Sequence, residues 1–174
     1  MPAIEIPIED NIKLCVHPLA ACEEDIQDVT GEDIDIFKYL FKSLAKFVVK
    51  EDLPGIALPQ VGINIRLCVV RNVWDKLPVS SVAKLQKKTI LMANPTYGPT
   101  VVNLPTVMCK ETCLCCSSDT FYVRRHKHCT LRYTDAETGE TGTKYMGPLE
   151  LGVQHIIDHT NGWFLKNIAT RKTT

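Results

Sequence analysis

The sequence predicts an α+β fold: mostly antiparallel sheets packed around a late metal-binding helix, with an N-terminal helix covering one sheet. Three observations predict it. Extended segments concentrate in the middle of the chain, two of them joined as a hairpin. A capped helical pattern precedes them, and a helix carrying two histidines follows them. Strands grouped this way argue against alternating β-α-β units.

Each element has a local reason. Thr30-Gly31-Glu32-Asp33 reads as a helix start, with Thr30 as N-cap and Asp33 as the acid of a capping box. Apolar residues recur at Ile36, Leu40, Leu44, Phe47 and Val48, which is helical spacing, and the helix is expected to end before Pro54. Residues 65–70 read as a buried strand, and 89–93 as another that Asn94-Pro95 stops. Residues 74–88 between them are expected to form a loop or a short helical insertion. Residues 121–123 and 129–133 look extended, 135–139 form a turn, and 141–146 return as the second strand of a hairpin. Gly147-Pro148-Leu149-Glu150 opens the last helix, with Pro148 at its first position and Glu150 near its positive end. Asn161-Gly162 stops it.

Length and composition set outer bounds. With 174 residues, 45% hydrophobic and 23% charged, the chain is expected to be one domain with a self-sufficient core. Its formal net charge of zero points to neither nucleic acid nor an anionic membrane. No apolar run approaches the roughly 20 residues of a membrane span. The basic run Arg124-Arg125-His126-Lys127-His128 reads as a strand edge or ion-pairing site before an anion-binding patch. The eight cysteines read as free thiols of a reducing compartment, because the first residues are acidic and lack an apolar signal core. That setting is cytoplasmic, or organellar if a presequence has been trimmed.

His155 and His159 lie four apart, about 40° apart around a helix, so both imidazoles can hold one ion. In H-E-x-x-H hydrolases the residue after the first histidine is a glutamate acting as general base. Here it is Ile156. The run Glu111-Thr112-Cys113-Leu114-Cys115-Cys116 offers a thiolate from a separate segment, which would complete a Cys/His/His set and leave a coordination position open. The same cysteines, with Cys109, could instead form an all-thiolate structural zinc site or hold an iron–sulfur cluster, although their spacing lacks the paired knuckles of common zinc folds and matches neither ferredoxin spacing. Read as extended, the run puts Cys113 and Cys115 on one face and Cys116 on the other. Cys15, Cys22, Cys68 and Cys129 fit buried small hydrophobes. Asp158 reads as solvating the helix. The Gly/Pro-interrupted segment 53–62 ends a loop in Gln60, either a backbone-satisfying amide or a donor aimed into a site.

Together these segments resemble the peptide deformylase family. Its three motifs, G-Φ-G-Φ-A-A-x-Q, E-G-C-L-S and Q-H-E-x-D-H (Φ hydrophobic), correspond in order to residues 53–60, 111–115 and 154–159. The likeness runs from His17-Pro18 to Trp163-Phe164. It implies a deformylase-like fold with Cys113, His155 and His159 as ligands of one divalent metal, iron(II) natively, with zinc, nickel or cobalt as other occupants. It implies that Gln60 and the Leu114 N–H steady the oxyanion formed at a formyl carbonyl. Gly55 would line the substrate channel, Glu111 would line or support the site, and Leu151 and Gly152 would border the methionine pocket. The implied partner is an N-formyl-methionyl peptide or nascent chain.

The chain departs from the family pattern at several positions. Leu53 and Leu58 bulk up motif one, and Thr112 and Cys115 replace the glycine and serine of motif two. Ile156 removes the general base. Its helical neighbours Leu149, Gly152, Val153, Thr160 and Trp163 include no acid, and Glu150 lies over a turn away. Two functions follow: a peptide deformylase-like hydrolase of weak or altered activity, or a catalytically inactive relative that binds metal and peptide. A structural metal protein built on the cysteine run is a third.

Overall fold

The computed structural model describes residues 4–8, 13–16, 26–74, 89–99, 105–116 and 119–173. Its first strands, β1 (Glu5–Pro7) and β2 (Lys13–Cys15), form an antiparallel pair. Helix α1 (Gly31–Lys50) starts at the expected capping box: the Thr30 N–H donates to Asp33 Oδ2 at 2.9 Å, and the Asp33 N–H points back to Thr30 Oγ1. Leu40, Leu44, Phe47 and Val48 bury the predicted face.

After α1 come β3 (Gly55–Ala57), a 3-10 turn over Leu58–Val61, β4 (Leu67–Arg71), β5 (Thr89–Gly98) and β6 (Thr106–Glu111). A second 3-10 turn, Leu114–Cys116, leads to β7 (Thr120–His126), β8 (Cys129–Asp135) and β9 (Thr141–Met146). The chain ends in a 3-10 turn over Pro148–Glu150, α2 (Leu151–Thr160), α3 (Leu165–Ile168) and β10 (Arg171–Thr173). The larger sheet runs β3-β4-β5-β8-β9 and the smaller one β10-β7-β6. Every pairing of named strands is antiparallel. The observed fold is the predicted α+β class.

Period-two alternation decides what covers each face of the larger sheet. Leu67 and Val69 of β4, with Leu91 and Ala93 of β5, pack with the apolar side of α1. Cys68 and Val70, with Ile90 and Met92, pack with Val153, Ile156 and Ile157 of α2. The two helices therefore cover opposite faces. Helix α2 also meets β7 of the smaller sheet, so it is wedged between sheets and everything from Val153 to Thr160 is buried. Its polar side chains must then be satisfied by the protein itself. No helix among the described residues is long and apolar enough to cross a membrane.

Several expectations need correction. Strand β5 does not stop at Asn94-Pro95 but runs on to Gly98. Asn94 takes φ 50°, the register with β8 shifts between Ala93 and Thr96, and the Asn94 side chain bonds both the N–H and the C=O of Val29. A bulge tolerates the missing proline N–H that a regular ladder would not. Pro148 begins a 3-10 turn, and α2 starts at Leu151. Asn161-Gly162 does end α2, with Gly162 at φ 74°, but α3 and β10 follow. The expected insertion (75–88), Cys22, the Cys15 side chain and His17-Pro18 lie outside the described residues.

Candidate metal centre

Three elements converge on one cleft. Helix α2 presents His155 and His159 one turn apart, with ring centroids 4.7 Å apart. The segment leaving β6 presents Cys113, and the turn after β3 presents Gln60. The potential ligand atoms of Cys113, His155 and His159 all lie within 4.8 Å of one another, and Cys113 Sγ is 3.3 Å from His159 Nε2. All three side chains are buried.

The smaller sheet orients His155. Glu111, the last residue of β6, places Oε2 2.9 Å from His155 Nδ1. Arg125 holds the same carboxylate in a fork, with Nε and Nη2 each 2.8 Å from its oxygens. Burial pushes the Glu111 carboxyl up, but hydrogen bonds from Arg125 and then His155 outweigh it and hold the acid near 2. An ionised Glu111 can only accept, so His155 Nδ1 carries the proton and Nε2 is left free as a ligand. The third Arg125 nitrogen, Nη1, bonds Asp158 Oδ2, and the Tyr97 hydroxyl donates to Asp158 Oδ1 at 2.7 Å. Asp158 is thus a buried strut between α2 and β7, which corrects its reading as a solvating residue. Gln154 adds a second strut: its amide donates to the His126 C=O and accepts the His126 N–H, at 2.7 and 3.1 Å.

This donor set fits a divalent metal. One thiol and two imidazoles is a catalytic-type set, and three protein ligands leave room for a further one. Burial first, then proximity to His155 and Arg125, pushes His159 well below its ordinary range, which keeps the imidazole neutral as ligation requires. His159 Nδ1 has no hydrogen-bond partner among the described residues, so only His155 has carboxylate backing.

The cleft encloses about 480 Å³. Gly55, Gln60, Leu114, Glu111, Leu151, Gly152, His155 and Ile156 all line it, together with Cys113. Two of its glycines pack too closely against neighbours to accept a side chain. A Cβ at Gly55 would lie 2.5 Å from the Val69 carbonyl oxygen and 3.2 Å from Ile156 Cγ1, and one at Gly152 would meet Pro54 at 2.9 Å. The Ala57 N–H donates to Gln60 Oε1 at 2.9 Å, which turns Nε2 toward Cys113 (3.9 Å) and Cys115 (3.7 Å). The amide therefore satisfies the backbone with one end and aims a donor into the site with the other. Leu53 and Thr112 line the cleft as anticipated. Leu58 does not: it is turned into the core with α1. The cysteine run is also not extended. It folds into the 3-10 turn, where the Cys115 N–H donates to the Cys113 sulfur at 3.4 Å and the Cys116 N–H to the Cys113 carbonyl at 3.0 Å.

A model of the polypeptide deformylase family matches residues 12–174. The chain belongs to that family. A peptide deformylase of the Wolbachia endosymbiont of Brugia malayi is 28% identical over 152 residues, 87% of this chain and 83% of its own. Among solved structures, a probable peptide deformylase of Synechococcus phage S-SSM7 superposes with a TM-score of 0.70 at 23% identity, covering 89% of this chain and 99% of that one. The deformylase of Synechococcus elongatus, solved in complex with actinonin, gives 0.70 at 22% identity over 97% of this chain and 85% of its own. These structural likenesses establish the deformylase fold. The family is metal-dependent, and the Cys113/His155/His159 cluster could serve that need.

Among the departures from the deformylase pattern, the one that removes a chemical group is Ile156. It stands in the cleft wall, 3% exposed, its side chain packed with the α2-facing core. Glu111 is the one carboxylate among the described residues lining the cleft, and both of its oxygens are engaged. The motifs did not reveal Arg125 or Tyr97. Arg125 had a signal: Phe121, Val123 and Arg125 alternate along β7, and all three are buried.

Proposed function

We propose that this chain is a deformylase-like protein that holds one divalent metal and an N-formyl-methionyl peptide, and whose deformylation is heavily impaired. The observation that carries this reading is the pairing of a ligand set with a base-free wall. Cys113, His155 and His159 stand together, while Ile156 fills the place where the family carries its glutamate.

Cys113, His155 and His159 would hold the metal, iron(II) natively, with zinc, nickel or cobalt as other occupants. Bound there, the ion supplies Lewis acidity and makes a water molecule more acidic. The chain's own residues do the rest. The Gln60 amide and the Leu114 N–H steady the negative charge that gathers on the formyl oxygen. Gly55 lets a peptide backbone approach the wall of the cleft, and Leu151 and Gly152 border the methionine side chain. Glu111 fixes the His155 ring.

What is missing is a group that takes a proton from the attacking water and delivers it to the leaving amine. General acid–base catalysis typically contributes about 10²- to 10⁴-fold, or roughly 3–5 kcal/mol of barrier. Glu111 is a poor substitute, because a carboxylate held near 2 by Arg125 and His155 is a feeble base at neutral pH. Apolar neighbours on α2 offer no other.

Metal analysis of the chain purified with iron(II) or zinc tests the ligand set. The natural chain is expected to carry one ion, and Cys113→Ser and His159→Ala to lose it. Full metal content in Cys113→Ser would refute the assignment and favour a structural site elsewhere in the cysteine run. A formyl-methionyl peptide is expected to bind the metal-loaded chain with little turnover, which calorimetry and a formate assay separate.

A further inference from the structure

The 3-10 turn after Cys113 has a consequence beyond metal holding. Cys113-Leu114-Cys115-Cys116 is a C-x-x-C segment closed on itself: the Cys116 N–H donates to the Cys113 carbonyl at 3.0 Å. A turn closed in this way brings its first and fourth Cα atoms within about 7 Å, against the roughly 4.4–6.8 Å that a disulfide requires. Neither Cys113 nor Cys116 is in a disulfide. Cys113 lines the cleft, so a small oxidant reaches it. Cys115 is two residues from Cys113, and that shorter loop closes a disulfide only with greater backbone distortion.

We propose that Cys113 and Cys116 form an oxidant-sensitive dithiol whose closure to a disulfide withdraws Cys113 from the metal set. The first half of this statement stands on the closed turn alone. The second rests on the reading of Cys113 as a ligand. With a peroxide as oxidant, the Cys113 sulfur attacks one peroxide oxygen, the O–O bond breaks, and a sulfenic acid and water form. The Cys116 sulfur then attacks the sulfenic sulfur, and the S–OH oxygen leaves as a second water. Two thiols lose two electrons and two protons, and one peroxide is reduced to two waters. A thiol reductant reverses the closure.

The test uses the zinc-loaded full chain, because zinc is itself redox-inert. Hydrogen peroxide is titrated in, released zinc is read with a chromogenic chelator, and the peptide spanning 113–116 is mapped by mass spectrometry. Zinc release is expected to track a Cys113–Cys116 disulfide, and dithiothreitol should restore both thiols and zinc binding. Cys116→Ser, and Cys116→Ala as an independent replacement, should keep their zinc at the dose that empties the natural chain. A Cys113–Cys115 link, or irreversible oxidation of Cys113 to the same extent in the natural chain and the Cys116 variants, would overturn the pairing. A disulfide that forms without zinc release would overturn the gating. Unaltered zinc content in Cys113→Ser would locate that failure in the ligand reading and not in the dithiol.

Discussion

Arg125 carries more of the site than any metal-ligand candidate. It is almost wholly buried, yet it meets two carboxylates: Glu111, which orients His155, and Asp158, which ties α2 to β7. Removing the guanidinium would leave Glu111 with only His155 and Asp158 with only Tyr97 as a side-chain partner, and breaking such buried pairs typically costs about 3–5 kcal/mol. Arg125→Met is therefore expected to lower the urea midpoint sharply without changing the slope, and Arg125→Lys to recover little because it cannot fork. Glu111→Gln is the gentler probe. The neutral amide keeps the shape but loses the charged acceptor that fixes the His155 ring and tautomer, so zinc affinity should fall by about 10- to 100-fold while the fold persists. Competition with a chelator would measure it. The motifs offered Glu111 as a lining or supporting residue and the basic run as an ion-pairing site, but not that Arg125 joins Glu111 to Asp158. Asp158 looked like a solvating residue because its partners come from β5 and β7, distant in sequence.

At the scale of elements, local signals worked where local forces decide. The Thr30/Asp33 box, the apolar spacing of α1, the β8–β9 hairpin and the Gly162 stop were all readable because each depends on a few adjacent residues. They failed where tertiary contacts override a local rule. Asn94-Pro95 reads as a strand stop, but Asn94 trades its side chain against the Val29 backbone and the strand continues through a bulge. The cysteine run reads as extended, but it closes into a 3-10 turn. The cap of α1 offers a clean measurement. Thr30→Ala is expected to cost about 1 kcal/mol. Hydrogen bonds from the Thr30 hydroxyl and backbone hold the Asp33 carboxyl below its ordinary range. A depressed carboxyl stabilises the folded state above its unfolded value, and that contribution fades as the pH falls. The natural chain should therefore lose stability on acidification through the carboxylate range more steeply than Asp33→Asn, as denaturant midpoints across that range would show.

At the scale of the whole molecule, the fold is a device for bringing three separate segments to one cleft. The larger sheet presents α1 to one face and α2 to the other, and the smaller sheet closes over α2 from β7. The family resemblance was legible because its three motifs keep their order and spacing, and the chain's membership in the deformylase family agrees with it. What sequence could not settle was whether a distant carboxylate takes the place of the missing glutamate, because that depends on which side chains the cleft gathers. Among the described residues it gathers one, Glu111, and engages both of its oxygens. The central claim is thus a scaffold equipped for metal and peptide that lacks its base. The most direct test is formate release from a formyl-methionyl peptide under anaerobic iron(II) or nickel(II), comparing the natural chain with Ile156→Glu at equal metal content. The account predicts little turnover in the natural chain and a gain of about 10²-fold or more in Ile156→Glu. Robust turnover by the natural chain, unimproved by Ile156→Glu, would contradict it.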